Sequence, residues 1–233
     1  MDFPAPRRVR AELVAQTMLS PRVRGLTLAT LGPEPLDWVP GQYVEIGPAG
    51  DDKRMPLSIA SAPDFAPSGQ FEIAVVGGGA LDDVVIGGAV DVTGPQGSFV
   101  RREPDGAPEV FVATGTGLAP IRAMLHRALP SGGDSPILLL AGARTEPELL
   151  WWAELEQLCV KHPRLRYEPC VSRPQNGWSG RTGWVQSHLG ELVAPLSGSR
   201  VYVCGVGEMV VECVALLTTE LGVPADRVFT EKH

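Results

Sequence analysis

The sequence predicts an N-terminal antiparallel β-barrel, residues 1–104, followed by a C-terminal doubly wound α/β domain with a parallel sheet, residues 105–233. Short apolar runs between Gly, Pro and Asp turn clusters fill the N-terminal part, a pattern typical of barrels. Further on, apolar strands alternate with helical patterns, as they do in βαβ units. The polar, turn-rich segment RREPDGAP, residues 101–108, separates the two patterns and indicates the domain boundary.

The strands of the barrel are predicted from apolar runs that a turn cluster bounds on each side. They cover residues 8–18, 22–29, 42–46, 71–76 and 89–93, and one short helix is expected at residues 81–86.

In the α/β domain, the run ILLLA at residues 137–141 is apolar throughout, as expected of a strand that is buried on both faces. The predicted strands are 109–114, 137–141, 165–171, 201–204 and 227–230, and the predicted helices are 118–129, 146–160, 182–189 and 208–221.

Composition argues against several classes of partner. The net charge is −7 and no basic run is present, which disfavours nucleic acid and anionic membranes. No apolar stretch approaches the ~20 residues that span a bilayer. The four cysteines lack CxxC pairs and ferredoxin-type spacing, and the histidines lack metal-ligand spacing. We therefore expect a cytoplasmic protein with reduced thiols, no metal and no iron–sulfur cluster in this chain.

The strongest local motif is Gly115-Thr116-Gly117, which joins an apolar strand directly to a helix. Glycines allow a sharp turn and the close approach of a ligand, and the first N–H groups of a helix favour phosphate. A tight turn without a ligand is the alternative. Pro120 stands where the third glycine of GxGxxG would be, which disfavours a conventional Rossmann dehydrogenase, and no Walker lysine follows.

The second motif is RMPLSIASAP, residues 54–63. The Arg54 guanidinium is suited to pairing with phosphate, and the Ser58 hydroxyl is suited to bonding a ring nitrogen or carbonyl. By themselves these residues describe a solvated strand face equally well.

In this order along the chain, the motifs resemble the ferredoxin–NADP reductase superfamily. The matching pieces are Arg54, Ser58 and Ser61, then residues 115–120 (GTGLAP), then Cys204-Gly205. Within this superfamily, the chain most resembles bacterial NAD(P)H-flavin reductases. The resemblance rests on the run GWSGRTG at residues 177–183, the length of the chain and the absence of an iron–sulfur motif.

The resemblance implies a flavin-dependent oxidoreductase that transfers hydride from NADH or NADPH to flavin N5. Electrons would then pass to free flavin, a ferric compound or a protein acceptor. The implied flavin is FAD or FMN, and weak binding of this flavin is one of the alternatives left open. Two further alternatives remain open: an FAD-containing reductase subunit of a larger oxygenase, hydrogenase or dehydrogenase complex, and a nucleotide-binding module without catalysis.

The resemblance also implies roles for individual residues. Ser58 would bond flavin N5, and Thr116 and Cys204 would lie against the nicotinamide, although a buried cysteine is usually a small hydrophobe. The implied flavin-binding positions are Arg54, Pro56, Leu57, Ser58, Ile59, Ala60, Gly78, Gly79, Ala80 and Leu81. The implied nucleotide-binding positions are Gly115, Thr116, Gly117, Pro120, Arg144, Ser172, Arg173, Cys204, Gly205, Glu208 and Met209.

Two departures from the family pattern concern the flavin phosphates. The family arginine stands three residues before the serine, but Met55 holds that place here and Arg54 stands one residue earlier. A bulge at Met55-Pro56 would restore the orientation. The predicted pyrophosphate loop, GGGALDD at residues 77–83, lacks a hydroxyl and carries two carboxylates, which would repel a pyrophosphate unless they point away. Both departures favour a weakly held flavin or FMN.

Overall fold

The computed structural model describes residues 3–65, 67–196 and 198–232, which form two compact units. The first unit comprises the described parts of Met1–Arg101 together with Ala119–Pro130. The second comprises the described parts of Arg102–Leu118 and Ser131–His233. A functional boundary between residues 104 and 105 stays a prediction.

Six strands build the sheet of the first unit. They are β1 (Arg7–Ser20), β2 (Val23–Leu31), β3 (Tyr43–Pro48), β4 (Met55–Ser58), β5 (Gln70–Val76) and β6 (Ala89–Gln96). All neighbours pair antiparallel in the order β4-β3-β6-β1-β2-β5. A bridge between Ile59 and Ile73 links the chain just after β4 to β5, at the other edge of the sheet. The predicted barrel is confirmed, since the sheet is nearly closed.

The core of the barrel follows from the alternation of its strands, in which every second side chain points inward. Trp38 packs edge-on against Phe71, and its indole Nε1 donates to the Ser61 carbonyl at 2.8 Å. The inward-facing residues include Leu13, Leu26, Leu28, Val44, Ile46, Phe71, Ile73, Val90 and Val92.

The predicted helix at residues 81–86 is wrong, because this segment is a turn. Asp82 N donates to the Gly79 carbonyl and Val84 N donates to the Leu81 carbonyl, and no helix continues from them. Glycines on both sides and β-branched residues at 84–86 (VVI) disfavour a helix of this length.

The sheet of the second unit is parallel throughout. Its strands are β7 (Glu109–Thr114), β8 (Ile137–Ala143), β9 (Leu165–Val171), β10 (Arg181–Thr182), β11 (Arg200–Gly205) and β12 (Val228–Lys232). Their order is β10-β9-β8-β7-β11-β12, so the chain winds outward from β7 to β10 and then returns to the other side of β7. This confirms the doubly wound α/β prediction and sets a topological switch point between β7 and β11.

The α-helices of the described residues are α1 (Leu118–Ala128), α2 (Trp152–Lys161), α3 (Leu189–Val193) and α4 (Gly207–Ala215). From Ala119 onward, α1 belongs to the first unit. The single helix predicted at residues 146–160 is wrong, since a 3-10 turn at Glu146–Glu148 ends before α2 begins. Trp151, with a φ of 51°, lies between them. The interruption buries Leu149 and Leu150, which are 6% and 3% exposed. None of the described helices is long and apolar enough to cross a membrane.

A stack of three aromatic rings runs across the three adjacent strands β7, β11 and β12 on one side of the second sheet. Tyr202 on β11 lies opposite Phe111 on β7 and Phe229 on β12, with ring centroids 5.0 and 5.1 Å apart. The Tyr202 hydroxyl accepts a hydrogen bond from Arg102 N at 3.0 Å. These rings bury a large apolar area while the one polar tip is satisfied.

Arg122 on α1 is a buried cation in the first unit, only 4% exposed. Its Nη1 donates to the Ala60 carbonyl at 2.8 Å and to Glu72 Oε2 on β5 at 2.6 Å. Ala60 N in turn donates to the Glu72 carbonyl at 2.7 Å. The guanidinium therefore holds together the segment after β4 and strand β5.

We predict that Arg122→Met lowers the free energy of unfolding by about 3 kcal/mol, because Ala60 and Glu72 lose a buried charged partner. Chemical denaturation measures this change. The control is Arg127→Met on the same helix, whose ion pair with Asp64 is exposed and is expected to contribute less than about 1 kcal/mol. Equal losses for the two variants would contradict the prediction.

Candidate functional site

Strand β4 carries the first candidate motif in the first unit. Ser58 ends the strand opposite Tyr43 and is 5% exposed, while Pro56 is exposed. Met55 and Leu57 pack against the barrel core on the opposite face of the strand. Ser58 is therefore the hydroxyl that β4 presents at its end.

The two residues after Ser58 are part of the barrel core. Ile59 and Ala60 are fully buried. Ile59 N donates to the Gln42 carbonyl at 3.0 Å, and both backbone polar groups of Ala60 are bonded within the unit. Ile59 N, Ala60 N and the Ala60 carbonyl are therefore not available to hydrogen-bond a flavin.

The structure has no bulge at Met55-Pro56, so the condition that would restore the orientation of Arg54 is not met. Strand β4 pairs with β3 in continuous register, from Met55 opposite Ile46 to Ser58 opposite Tyr43. Because β4 is an edge strand of its sheet, Pro56 is tolerated there without a bulge. The one-residue shift of Arg54 relative to the family pattern therefore stands.

Arg54 lies just before β4 and bonds to the protein itself. Its guanidinium donates to Asp91 Oδ2 at 3.4 Å, to the Lys53 carbonyl at 3.1 Å and to the Asp51 carbonyl. Asp91 also accepts from Gly50 N at 3.0 Å and from Arg10 Nε at 3.1 Å. The Gly50 hydrogen bond, and after it the Arg10 hydrogen bond, hold the pKa of Asp91 below its usual value.

The glycine loop after β5 is closed by its own aspartate. Gly78 N and Gly79 N donate to Asp82 Oδ2 at 2.5 and 3.1 Å, and Asp82 Oδ1 accepts from Arg24 Nη2 at 2.7 Å. Ala80 is half-buried, and the Leu81 side chain lies in the barrel core. Gly78 N and Gly79 N, which the family resemblance assigns to the flavin phosphates, are thus bonded to the Asp82 carboxylate.

In the second unit, the 3-10 turn Gly115–Gly117 joins β7 to α1 beside the end of β11. Gly115 has a φ of +55° and a Cβ added there would meet nothing within 4 Å. A Cβ on Gly117 would lie 2.4 Å from the Cys204 carbonyl oxygen. The turn is therefore open to a ligand on the side of Gly115. On the side of Gly117, its backbone packs directly against the backbone of Cys204, which only glycine permits.

The carboxyl end of β11 contributes backbone rather than a reactive thiol. Cys204 is fully buried, and this burial, with a smaller effect of Glu231, raises the pKa of its thiol. Thr114 Oγ1 accepts from Val206 N at 3.4 Å, which ties the ends of β7 and β11 together. A protonated, inaccessible thiol is not a nucleophile.

The remaining predicted residues near these strand ends differ in exposure. Thr116 is half-buried, whereas Pro120, Gly205 and Met209 are buried and Glu208 is exposed. Close by is a small pocket at the ends of β7 and β8. It is lined by Ala113, Gly115, Leu118, Ala141, Gly142, Glu148, Leu149, Leu150 and Tyr167.

Two exposed arginines follow strands β8 and β9. Arg144 comes directly after β8, and Arg173 comes two residues after the end of β9. Ser172 N donates to the Ala143 carbonyl at 3.0 Å, and Arg173 N donates to the Arg144 carbonyl at 2.7 Å. Within the described ranges, neither Arg144 nor Arg173 pairs with a carboxylate. Two uncompensated positive charges therefore lie at neighbouring carboxyl ends of a parallel sheet.

The structure thus brings the predicted residues together within each unit: Ser58 with the barrel, and Gly115–Gly117 with Cys204-Gly205 at the switch point. Sequence reasoning missed Arg24 and Asp91, which engage Asp82 and Arg54. In the sequence, both residues are visible only as charged positions within strands of alternating polarity. Such a position does not indicate which residue of opposite charge it will pair with.

Comparison with known proteins identifies the family. The family model described as "Oxidoreductase NAD-binding domain" matches residues 111–214. Ferredoxin–NADP reductase B of Sorangium cellulosum (strain So ce56) is 39% identical over 236 residues, which cover 96% of this chain and 96% of that protein.

A second relative, from Ralstonia sp, is the ferredoxin–NAD(P)(+) reductase component of naphthalene 1,2-dioxygenase/salicylate 5-hydroxylase systems. It is 33% identical over 195 residues, covering 82% of this chain and 58% of that protein, so this chain spans less than two thirds of its length.

Among solved structures, the Amycolatopsis cytochrome P450 reductase GcoB superposes with a TM-score of 0.86 at 26% identity, over 97% of this chain and 70% of that chain. Since the barrel, the parallel sheet and nearly the whole sequence match such reductases, the chain belongs to the ferredoxin–NADP reductase superfamily.

Proposed function

We propose that the protein is a flavin-dependent oxidoreductase that takes hydride from NADH or NADPH and passes the electrons to a further acceptor. The observation that carries this proposal is the Gly115–Gly117 turn at the β7–β11 switch point, where ligands of open α/β sheets bind. The 39% identity with a ferredoxin–NADP reductase supports the same reaction class.

The second unit fits a nicotinamide nucleotide. Gly115 leaves open space on the outer side of the turn that precedes α1, and the amino end of a helix carries the partial positive charge that attracts phosphate. The contact of Gly117 with the end of β11 fixes the inner wall of this site. Thr116 and the backbone of Cys204 would orient the nicotinamide ring.

The first unit fits the ring of a flavin better than its phosphates. Ser58 supplies a hydroxyl at a fixed strand end, where a hydrogen bond stabilises charge that develops on a ring nitrogen. When bound, a flavin would supply the two-electron acceptor, and hydride transfer requires its ring and the nicotinamide ring to meet at reacting distance.

The names of the relatives favour a protein as the final acceptor. The Ralstonia relative is the reductase component of oxygenase systems. We extend that role to this chain, with free flavin and ferric compounds as the competing acceptors. The cytoplasm stays the predicted location.

Rates of NADH and NADPH oxidation, with and without added flavin, test the proposed function together with the absorbance spectrum of the purified protein. Addition of a ferredoxin, a ferric chelate or excess flavin then ranks the acceptors. No oxidation of either nucleotide under any condition would refute the oxidoreductase proposal and favour a binding module.

We predict that Ser58→Ala lowers the rate constant of hydride transfer by about ten- to hundredfold, because one preorganised donor is lost. Single-turnover stopped-flow absorbance measures this constant. The control is Ser61→Ala, since the buried Ser61 Oγ accepts from Glu72 N at 3.0 Å. It is expected to cost about 1 kcal/mol of stability without changing the rate constant of the folded protein. An unchanged rate constant in Ser58→Ala would remove Ser58 from the mechanism.

We also predict a preference for NADPH. The double variant Arg144→Ala/Arg173→Ala is expected to raise KM for NADPH by about tenfold or more and to leave KM for NADH nearly unchanged, because only NADPH carries a 2′-phosphate. The control is Arg164→Ala, which removes a cation just before the amino end of β9. Equal increases for both nucleotides would contradict a 2′-phosphate contact.

A further inference from the structure

The chain between β9 and β10, residues 172–180, forms a closed loop, the β9–β10 loop. Thr182, which follows this loop, pairs with Val171, which precedes it. The loop carries Arg173, whose backbone N donates to the Arg144 carbonyl at 2.7 Å. Loops without regular structure are mobile unless further contacts hold them, so the position of the Arg173 side chain depends on contacts made farther along the loop.

Trp178 folds back over the β9–β10 loop and holds its second half. Its indole Nε1 donates to the Arg181 carbonyl at 2.9 Å, and its backbone N donates to the Gln175 carbonyl at 3.2 Å. The ring lies so close to Gly180 that a Cβ at this position would overlap it. Glycine is therefore required at position 180 for the indole to lie against the backbone of the loop.

The same indole joins the loop to α2. Trp178 and Trp152, the first residue of α2, meet edge to face, with ring centroids 5.7 Å apart and an interplanar angle of 70°. This is a preferred arrangement of aromatic rings, and both residues are half-buried. Trp152 Nε1 donates to Glu156 Oε1 at 2.9 Å, one turn later in the helix, so α2 sets the orientation of the pair.

The end of the loop is anchored separately, through Arg181. Its guanidinium donates from Nη1 and Nη2 to the Glu191 carboxylate on α3 at 2.8 and 2.7 Å, and from Nε to Glu168 on β9 at 2.7 Å. The hydrogen bond from Arg181 holds the pKa of Glu191 below its usual value. Such a two-pronged pair has a defined geometry, so the end of the loop is fixed and the Trp152–Trp178 pair joins its middle part to α2.

A short, stiff connection links Trp178 to Arg173. The hydrogen bond from Trp178 N to the Gln175 carbonyl closes a turn over residues 175–178. Pro174 is the one residue between Gln175 and Arg173, and its ring fixes its own φ and restricts the backbone of the residue before it. A displacement of Trp178 is therefore transmitted to Arg173 through few rotatable bonds.

We propose that the Trp152–Trp178 pair is a clasp that positions Arg173 for the 2′-phosphate of NADPH. This inference rests on the proposed function and concerns the nucleotide selectivity of the same site. Trp178 is a positioning residue, which acts through Arg173 and leaves the hydride step unchanged. When the clasp is opened, Arg173 keeps its charge but spends less time in the binding position, and the apparent affinity falls accordingly. NADH lacks the 2′-phosphate, so its binding does not depend on the clasp.

The first test is steady-state oxidation of NADPH and NADH by the full-length protein with added flavin. Trp178→Ala is expected to raise KM for NADPH by about fivefold or more, while kcat and KM for NADH change by less than about twofold. Trp152→Ala removes the same contact from the side of the helix, so it serves if Trp178→Ala does not fold. Trp152→Phe retains a ring at the contact and is expected to restore most of the NADPH affinity. Equal increases of KM for both nucleotides would indicate general damage to the fold and overturn the proposal.

The matched control is Ser179→Ala, which changes the next residue of the same loop. Ser179 is exposed, and its hydroxyl forms no hydrogen bond with the described part of the chain. Its replacement is expected to change KM for both nucleotides by less than about twofold, because no contact is lost. If Ser179→Ala raised KM for NADPH as much as Trp178→Ala, any change in the loop would suffice, and the clasp would have no specific role.

A double-mutant cycle tests whether Trp178 acts through Arg173. In the Arg173→Ala background, Trp178→Ala is expected to change KM for NADPH by less than about twofold, because no guanidinium is left to position. Independent, multiplicative effects of the two substitutions would contradict a positioning role and overturn the proposal.

Binding measured without turnover separates this inference from the proposed function. In isothermal titration calorimetry, Trp178→Ala is expected to weaken adenosine 2′,5′-bisphosphate by about fivefold or more and AMP by less than about twofold. This result in a protein that oxidises neither NADH nor NADPH would support the clasp and refute the proposed function. Unchanged binding of the bisphosphate by Trp178→Ala, or equal binding of the bisphosphate and AMP by the unmodified protein, would overturn the clasp and leave the oxidoreductase proposal intact.

Discussion

Gly117 lies against the carbonyl of Cys204 with no room for a side chain, and the proposed nucleotide site of the second unit is built around this contact. It holds the turn after β7 at the end of β11, where the winding direction of the sheet reverses. The amino end of α1 and the exposed face of Gly115 take their positions from the same turn. Thr114 reinforces the arrangement through its hydrogen bond from Val206 N. A parallel sheet offers such a crevice at one place only, so the location that we propose for the nucleotide site is a consequence of strand order.

The barrel follows a different rule, in which charges are satisfied internally. Arg122 is bound by Glu72 and Ala60, Arg54 by Asp91, and the glycine amides by Asp82. Each of these groups would otherwise be available to an anionic ligand. The fold places these groups near the barrel, but fold membership alone does not determine which ligand they bind.

Prediction from the sequence was most accurate where the burial of an apolar run is compatible with only one type of secondary structure. The bounds predicted for β7 agree with the structure because its apolar run is buried on both faces of a parallel sheet. The bounds of β9 also agree, although Arg166 and Glu168 interrupt its apolar pattern. Prediction failed where local preference competes with burial, as at Leu149 and Leu150, which leave the helical path to become buried. The helix predicted at residues 81–86 is wrong for a different reason. The helix propensity of this glycine-flanked segment is weak, and no packing of a helix compensates for it.

The candidate site shows the same division. Its glycine and serine positions could be predicted because their motifs are local in sequence. The ion pairs that modify it could not, since Arg24 and Asp82 are 58 residues apart, and Arg54 and Asp91 are 37 apart. Alternation assigns a charged residue to a strand face but carries no information about its partner.

The strand order also has a consequence for how the second unit is made. β7 lies in the middle of its sheet, yet the neighbour on one side, β11, is synthesised some 90 residues later, when Tyr202 stacks on Phe111. Until then, an apolar strand edge of the nascent chain remains unpaired. Pairing across such a separation is slow, and open strand edges associate with other chains. The interval between the synthesis of β7 and that of β11 is thus the period of greatest aggregation risk, when a chaperone would protect the chain most.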